Sequence, residues 1–191
     1  MNRDRRIPLP DPATGATGPR AYQPDLSAAI DGFYRAATRL HGLDPVLTEM
    51  VRLRCARHHD CRICKAVRLR DARDSGVDEA MTAKIDRFED SDLDERIKLA
   101  LHYTDAFITQ PSGIDAALAA RLRAAFTPAE LVELSLDIMK WSTQKIHVTL
   151  GLDVMPGVDV DGGTVTFFEF DGDGRPTNFR SAHDDAVTAA R

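Results

Sequence analysis

Residues 49–68 read EMVRLRCARHHDCRICKAVR, a segment that holds all three cysteines of the chain. Asp60 is a good helix N-cap residue, so the pattern predicts a helix that begins at Cys61 and has Cys64 at its fourth position. Both sulfur atoms would then lie near unpaired backbone N–H groups and the positive end of the helix dipole. This arrangement favours the thiolate form of the two cysteines.

Basic side chains surround the cysteine pair. Residues 52–73, here called the basic segment, hold eight Lys or Arg against two Asp, whereas the whole chain of 191 residues has a net charge of −5. Cationic neighbours lower the pKa of a cysteine, and the thiolate is the species that attacks a peroxide or a disulfide. We therefore predict a reactive thiol pair; the alternatives are a solvated basic helix face and cysteines that are only packed in the core.

The composition is that of one ordinary globular domain, with 43% hydrophobic and 29% charged residues. The acidic net charge argues against a nucleic-acid partner. No apolar run reaches the roughly 18 to 20 residues that a membrane-spanning helix needs. The first twenty residues lack the apolar region of a secretory signal, so we expect a cytoplasmic location and no membrane association.

Helical periodicity from Asp25 to about Leu150 predicts a mainly α fold. Five prolines in residues 1–24 predict an extended arm before it. Cap signals at Asp44-Pro45 and at Thr127-Pro128-Ala129-Glu130 mark the starts of two helices. After a first helix that ends near Gly42, the pattern predicts helices at about 45–58, 61–74, 78–88, 92–109, 114–125 and 128–150, the last either continuous or broken near Trp141.

The composition changes to strand and turn residues after Gly151. Segments 158–160 and 164–170 predict a small C-terminal β-hairpin around the turn at 161–163. The expected organisation is an arm at 1–24, a helical domain at 25–155, and a hairpin with a tail at 156–191. Residues 171–174, Asp-Gly-Asp-Gly, predict a plain turn, because Ala182 stands where a calcium loop needs its last acidic ligand.

A short internal repeat links two predicted helices. Residues 49–53, EMVRL, match residues 130–134, ELVEL, at an offset of 81 residues. The same offset places Ser142 at the position of Cys61, so the second copy has no thiols. The pattern predicts two similar helix pairs of which one holds the chemistry.

Zinc binding is the main alternative use of the cysteines. Ligands of the right types lie within ten residues, at Cys55, His58, His59, Cys61 and Cys64. A structural zinc site usually takes a second ligand pair from a distant segment, and the remaining histidines show no such spacing. We predict that Cys55 is a core residue.

The spacing of Glu49, eleven intervening residues and then Cys61-x-x-Cys64 resembles the signature of the alkylhydroperoxidase D and carboxymuconolactone decarboxylase superfamily. The resemblance covers most of residues 25–155. It implies an all-α fold, an alkylhydroperoxidase D-like helical bundle to which this chain adds its small β-hairpin. It also implies a homo-oligomer, trimer or hexamer, that reduces hydroperoxides with its thiols and is itself reduced by a lipoyl-bearing or thiol protein. We expect no cofactor and no metal.

The resemblance implies roles for individual residues. Cys64 would attack the peroxide, Cys61 would resolve the sulfenic acid to a disulfide, and Glu49 would accept the proton. The histidine that the family has four residues after the second cysteine is replaced here by Arg68. A guanidinium cannot relay protons near neutral pH, but Arg68, one turn along the predicted helix, would stabilise a Cys64 thiolate.

The missing imidazole has three candidates, His58, His59 and His147, of which His59 leads because it lies just before the predicted helix start. The predicted function is thiol-dependent hydroperoxide reduction. One alternative is a non-catalytic or redox-sensing family member whose thiols are vestigial or bind a metal. A second alternative is a lactone decarboxylase of the carboxymuconolactone type, which needs no cysteine pair.

Overall fold

The computed structural model describes residues 4–8, 22–161 and 163–182, so the predicted arm at 1–24 lies largely outside the described residues. These residues are mostly helical, with a small sheet formed near the C-terminal end, which confirms the predicted fold class. Two 3₁₀ helices span Lys84–Asp90 and Pro111–Gly113. The α-helices are α1 (Pro24–Thr38), α2 (Pro45–His58), α3 (Arg62–Ala66), α4 (Arg70–Asp74), α5 (Glu79–Ala83), α6 (Glu95–Thr109), α7 (Ala116–Ala125), α8 (Pro128–Ser142) and α9 (Lys145–Leu150). The strands are β1 (Val67–Leu69), β2 (Thr166–Phe170) and β3 (Pro176–Ser181).

Helix α2 lies at the centre of the molecule. It begins where predicted, since the Asp44 carboxylate accepts a hydrogen bond from Leu47 N at 2.8 Å and proline occupies the first helical position. One side of α2, with Val51 and Cys55, packs into an apolar cluster with α6, α7 and α8. The other side, with Met50, packs against the 3₁₀ helix at 84–90 and α6. Burial on both sides leaves α2 little contact with water.

Two buried charges on α2 pair with each other. The Glu49 side chain is 1% exposed and that of Arg52 2%, and the Arg52 guanidinium donates to both carboxylate oxygens, at 2.6 and 2.7 Å. The same guanidinium donates to the carbonyl oxygens of Cys64 at 2.9 Å and Val67 at 2.6 Å. Leu69 N also donates to Glu49. This pair therefore fastens the segment after the cysteines to α2.

The predicted continuous helix over 61–74 is wrong. The segment forms α3, then β1, then α4. Strand β1 pairs in parallel with β2, with Val67 opposite Thr166 and Leu69 opposite Phe168. The helix ends early because Arg52 holds the Cys64 and Val67 carbonyls, and because a distant strand supplies partners for the backbone beyond them.

A small hairpin is present near the C-terminal end, as predicted, but it does not join the predicted strands 158–160 and 164–170. Strand β2 pairs antiparallel with β3, and the turn between them lies at 171–175, where Gly174 N donates to Asp171 O at 2.8 Å. Residues 158–160 form no strand; Val158 is instead buried against Val67 and Phe168. The Asp-Gly-Asp-Gly sequence is the plain turn that was predicted, and Gly162 lies outside the described residues.

The other helix boundaries follow their caps. Thr127 and Glu130 form the predicted capping box at the start of α8. The predicted helix at 128–150 is broken after Ser142, while the one at 78–88 becomes α5 followed by a 3₁₀ helix. Within the part of the chain that the structure describes, no helix combines the length and apolar character needed to cross a bilayer.

We expect Glu49→Gln to lower the free energy of unfolding by about 3 kcal/mol or more, because the Arg52 guanidinium would stay buried beside a neutral amide. Urea unfolding followed by circular dichroism measures the change. The control is Glu95→Gln, which removes the exposed partner of Lys98 at the same i,i+3 spacing and should cost less than about 1 kcal/mol. Equal losses in the two variants would contradict this account of the buried pair.

Candidate active site

The cysteine pair forms a disulfide across the first turn of α3, with a Cα–Cα distance of 5.3 Å. The predicted N-cap is wrong by one residue: Asp60 has a positive φ of 52°, and Cys61 itself is the N-cap. Its Sγ accepts a hydrogen bond from Cys64 N at 3.3 Å. The close turn at Asp60 brings α3 back against the end of α2, where Cys61 N donates to Ala56 O.

The three cysteines differ in their environments. Cys61 is 1% exposed, whereas Cys64 is half-buried. Cys55 is fully buried in the apolar cluster of α2, as predicted, and burial raises the pKa of its thiol to about 12. Cys64 is thus the most accessible of the three cysteines, and the buried Cys55 thiol is unreactive.

Both members of the disulfide line a cavity of about 130 Å³, here called the cysteine cavity. Its other walls are mainly apolar and come from α1, α2, α8 and the β2–β3 hairpin. Trp141 on α8 and Phe168 on β2 each lie 5.9 Å from the Arg52 guanidinium carbon, measured from their ring centroids. The cavity therefore combines a disulfide, one cation and several rings.

His59 also lines the cysteine cavity. Its Nε2 lies 3.1 Å from Ser142 Oγ, at the end of α8. Burial, followed by the positive charge of Lys145 and by His58, lowers the pKa of His59 to about 4. The imidazole is therefore neutral at neutral pH. Its neighbour His58 is exposed.

Glu49 lies on the other side of Arg52. Its carboxylate lines a separate cavity of about 290 Å³, together with Arg68 and Arg73. Arg52 contacts both regions, because it lines the cysteine cavity and donates to Glu49 and to the Cys64 carbonyl. Glu49 is thus connected to the cysteine segment through a guanidinium.

The prediction that Arg68 lies on the helix of the cysteines is wrong. Arg68 is in β1, and its guanidinium donates to both carboxylate oxygens of Glu79, at 2.8 Å each. It also donates to the carbonyls of Lys65 and Val67. The Arg68 guanidinium is thus paired with Glu79 and holds β1 against α5, and Arg68 does not line the cysteine cavity.

The basic segment is largely neutralised by carboxylates, all but one of which lie outside it. At least six of its eight cations are ion-paired, which contradicts the expectation of an open positive environment. The pairs are Arg52–Glu49, Arg54–Asp105, Arg57–Asp86, Arg62–Asp153, Lys65–Asp60 and Arg68–Glu79. Charges paired in this way lower a nearby thiol pKa much less than free cations do.

A buried carboxylate at the start of α3 was not predicted. Asp153 is 0% exposed, and its Oδ2 accepts from Arg62 N at 3.0 Å, while its Oδ1 accepts from the Arg62 guanidinium at 3.1 Å. Asp153 thus satisfies a backbone N–H in the first turn of α3 and neutralises the Arg62 guanidinium. No sequence signal marks Asp153, since it lies 91 positions from Arg62.

The described ranges contain no group of three or more His, Cys, Asp or Glu side chains arranged to hold a metal ion. Of the five ligands considered for zinc, Cys61 and Cys64 are bonded to each other and Cys55 is enclosed by apolar side chains.

No family model matches the sequence. The chain is 42% identical over 161 residues to two uncharacterized proteins of Mycobacterium tuberculosis, MT2376 of strain CDC 1551 and Rv2313c of strain H37Rv. Each match covers 78% of this chain and 57% of the relative. The chain thus spans little more than half the length of these relatives.

Three solved structures are similar. A peroxidase-related protein from Ralstonia eutropha with an alkylhydroperoxidase AhpD core has a TM-score of 0.62 at 15% identity, over 78% of this chain and 90% of its own. The protein ATU0492 from Agrobacterium tumefaciens, of unknown function and proposed to be the antioxidant defence protein AhpD, has a TM-score of 0.58 at 20% identity. This match covers 82% of this chain and 100% of ATU0492. The chain has the AhpD-like fold. A variant of the debrominase Bmp8, in complex with 2,3,4-tribromopyrrole, has a TM-score of 0.57 at 16% identity. This match covers 75% of this chain and 74% of the Bmp8 chain.

The resemblance predicted from Glu49 and the cysteine spacing is therefore confirmed at the level of the AhpD-like fold. Within that fold the structure brings Cys61, Cys64 and His59 to one cavity. It separates Glu49 and Arg68 from them. The residues that sequence analysis missed in this region are Arg52, Trp141, Asp153, Phe168 and Phe179, which carry no local motif and come together only through tertiary packing.

We expect iodoacetamide to alkylate the reduced protein at Cys64 first, at Cys61 more slowly, and at Cys55 hardly at all at pH 8. The order follows from exposure, and for Cys55 also from the raised pKa of its thiol. Peptide mass spectrometry over time measures the three rates. The control is the same reaction in about 8 M urea, where the chain is unfolded and the differences should vanish. Modification of Cys55 as fast as Cys64 in the folded protein would contradict the assignment.

Proposed function

We propose that this protein is a thiol-dependent peroxidase that reduces organic hydroperoxides through Cys64 and Cys61. The observation that carries the proposal is the disulfide between these residues at a cavity large enough for a small molecule. The AhpD-like fold supports a peroxidase-related role. The greater exposure of Cys64 supports its assignment as the residue that attacks the peroxide.

The proposed cycle begins with both cysteines reduced. The Cys64 thiolate attacks the outer oxygen of the hydroperoxide, the O–O bond breaks, and the released alkoxide takes a proton and leaves as the alcohol. Cys64 is now a sulfenic acid. The Cys61 thiolate attacks its sulfur, the hydroxide leaves with a proton as water, and the disulfide forms. An external dithiol, of the lipoyl type or on a thiol protein, then reduces the disulfide by exchange and is oxidised in turn.

His59 is the proposed proton carrier. A neutral imidazole on the same cavity is able to accept the Cys64 proton and deliver it to the alkoxide, which is the task that the family gives to a different histidine. The contact with Ser142 Oγ supports a fixed orientation of the ring. Glu49 was expected to accept the proton directly. Because its carboxylate is bonded to Arg52, we propose instead that Glu49 positions Arg52.

Redox sensing without efficient turnover is the second candidate, and Asp153 favours it. Asp153 neutralises Arg62 at the start of α3, and most other cations of the basic segment are also paired, so little net positive charge remains to stabilise a thiolate. Under this alternative the pair would react with hydroperoxides no faster than free cysteine at the same pH. Stopped-flow measurement of disulfide formation separates the two candidates.

We expect Cys64→Ser to lose the first oxidation step completely, whereas Cys61→Ser should still form one sulfenic acid per chain. The reason is that only Cys64 attacks the peroxide in the proposed cycle. Trapping with dimedone, followed by mass spectrometry, detects the sulfenic acid. Cys55→Ser is the matched control and should keep the wild-type rate of disulfide formation. The same trapping yield in the Cys64 and Cys61 variants would refute the assignment.

We expect His59→Phe to slow disulfide formation by roughly a hundredfold, within the usual contribution of general acid–base catalysis. Since the lowered pKa keeps the imidazole neutral above about pH 4, His59 should cause no change in the wild-type rate between pH 8 and 5. Nitrogen NMR of the ring should show protonation near pH 4. The control is His58→Phe at the exposed neighbour, which should retain most of the rate. A ring that protonates near pH 6.5 would contradict the environment described here.

A further inference from the structure

The β2–β3 hairpin forms one wall of the cysteine cavity. Phe168 of β2 is 5% exposed and Phe179 of β3 is 37% exposed, and their rings are stacked at 5.4 Å with an interplanar angle of 7°. Both rings line the cavity, with Pro176 of β3 beside them. The hairpin thus adds an aromatic surface to the cavity that the disulfide lines, and Phe179 is the more exposed of its two rings.

The hairpin is anchored at both ends, so this wall is preformed. At one end β2 pairs with β1, which places Phe168 opposite Leu69. At the other end Arg39, the residue after α1, donates to the carbonyl of Asp173 at 3.0 Å. Gly174 in the turn has a positive φ of 76°, and a Cβ there would lie 2.6 Å from the Arg35 carbonyl oxygen. The turn therefore packs directly on α1.

The size and polarity of the cavity limit what it can hold. Its volume is about 130 Å³, and an engineered apolar cavity of about 150 Å³ binds benzene. Apolar and aromatic side chains supply most of the wall, and the Arg52 guanidinium faces the Phe168 and Trp141 rings. Such a space favours one ring or a branched alkyl group over water, and its volume is too small to enclose an extended lipid chain.

From these observations we infer that the hairpin makes the site selective for hydroperoxides that carry a single aromatic ring or a branched alkyl group of similar size, and that Phe179 and Phe168 are the specificity-determining residues. The inference rests on the proposed function, because it names the substrate class of the same site. The ring of the substrate packs against the stacked pair, and its hydroperoxide group faces Cys64. Hydrogen peroxide has no group that contacts this wall.

Binding is tested without turnover through Trp141, which lines the cavity and is the only tryptophan in the chain. The probe is 2-phenyl-2-propanol, the alcohol product of cumene hydroperoxide, titrated into the oxidised protein while tryptophan fluorescence is recorded. We expect saturable binding to the wild type and a dissociation constant raised roughly tenfold in Phe179→Ala. Phe179→Leu, which keeps apolar bulk at a partly exposed position, should fall between them.

The matched control is Phe167→Ala. Phe167 is on the same strand as Phe168 but on the opposite face of the sheet, where it stacks under Arg73 at 4.4 Å. This variant loses a phenyl ring from the hairpin without changing the cavity wall. We expect it to bind the alcohol with the wild-type dissociation constant. Weaker binding in Phe167→Ala as well would instead indicate that any loss of a ring from β2 or β3 disturbs the hairpin.

Kinetics test the same residues in the reaction. We expect kcat/KM for cumene hydroperoxide to fall roughly tenfold in Phe179→Ala, while kcat/KM for hydrogen peroxide stays the same. No fluorescence response in the wild type, or equal losses for both peroxides, would overturn the inference. So would a preference for linoleate hydroperoxide over cumene hydroperoxide. Saturable alcohol binding that depends on Phe179, without turnover of any hydroperoxide, would support the ligand class and refute the proposed function.

Discussion

The buried Arg52 guanidinium joins four parts of this fold. It neutralises Glu49 on its own helix, donates hydrogen bonds to the carbonyls of Cys64 and Val67, and lies beside the rings of Trp141 and Phe168. A planar guanidinium with five donors is suited to this task, because it satisfies a carboxylate and two carbonyls at once. The short helix of the cysteines, the strand after it and the cavity wall all depend on where this side chain lies.

The electrostatics of the site follow from the same requirement that buried charges be paired. Each cation near the cysteines that is drawn into the protein needs a carboxylate, and the chain supplies Glu49 to Arg52 and Asp153 to Arg62. The result is a nearly neutral environment where the sequence predicted a strongly positive one. In the proposed mechanism, the local excess of Lys and Arg is therefore not the main source of stabilisation for the Cys64 thiolate.

Helix starts and the fold class could be predicted from the sequence because the residues that decide them are local. The cap at Asp44, the capping box at Thr127 and the spacing of Glu49 to the cysteines lie within a few turns of the features that they specify, and together they indicated the fold. The helix predicted over 61–74 failed because its end is decided by a strand about 100 residues further along, through the pairing of Val67 with Thr166. The helical propensity of residues 61–74 therefore could not predict the pairing with β2.

Ser142, which the internal repeat aligns with Cys61, contacts the proposed proton carrier His59. The offset that aligns the two EMVRL-like segments places Ser142 at the position of Cys61, and in the structure α8 packs on α2 so that Ser142 Oγ lies 3.1 Å from His59 Nε2. Ser142 at the end of α8 therefore contacts the imidazole that lines the cysteine cavity. In the proposed mechanism the proton carrier, His59 at the end of α2, lies on the same cavity as the cysteines. Arg68, at the position where the family has its histidine, holds β1 against α5 instead.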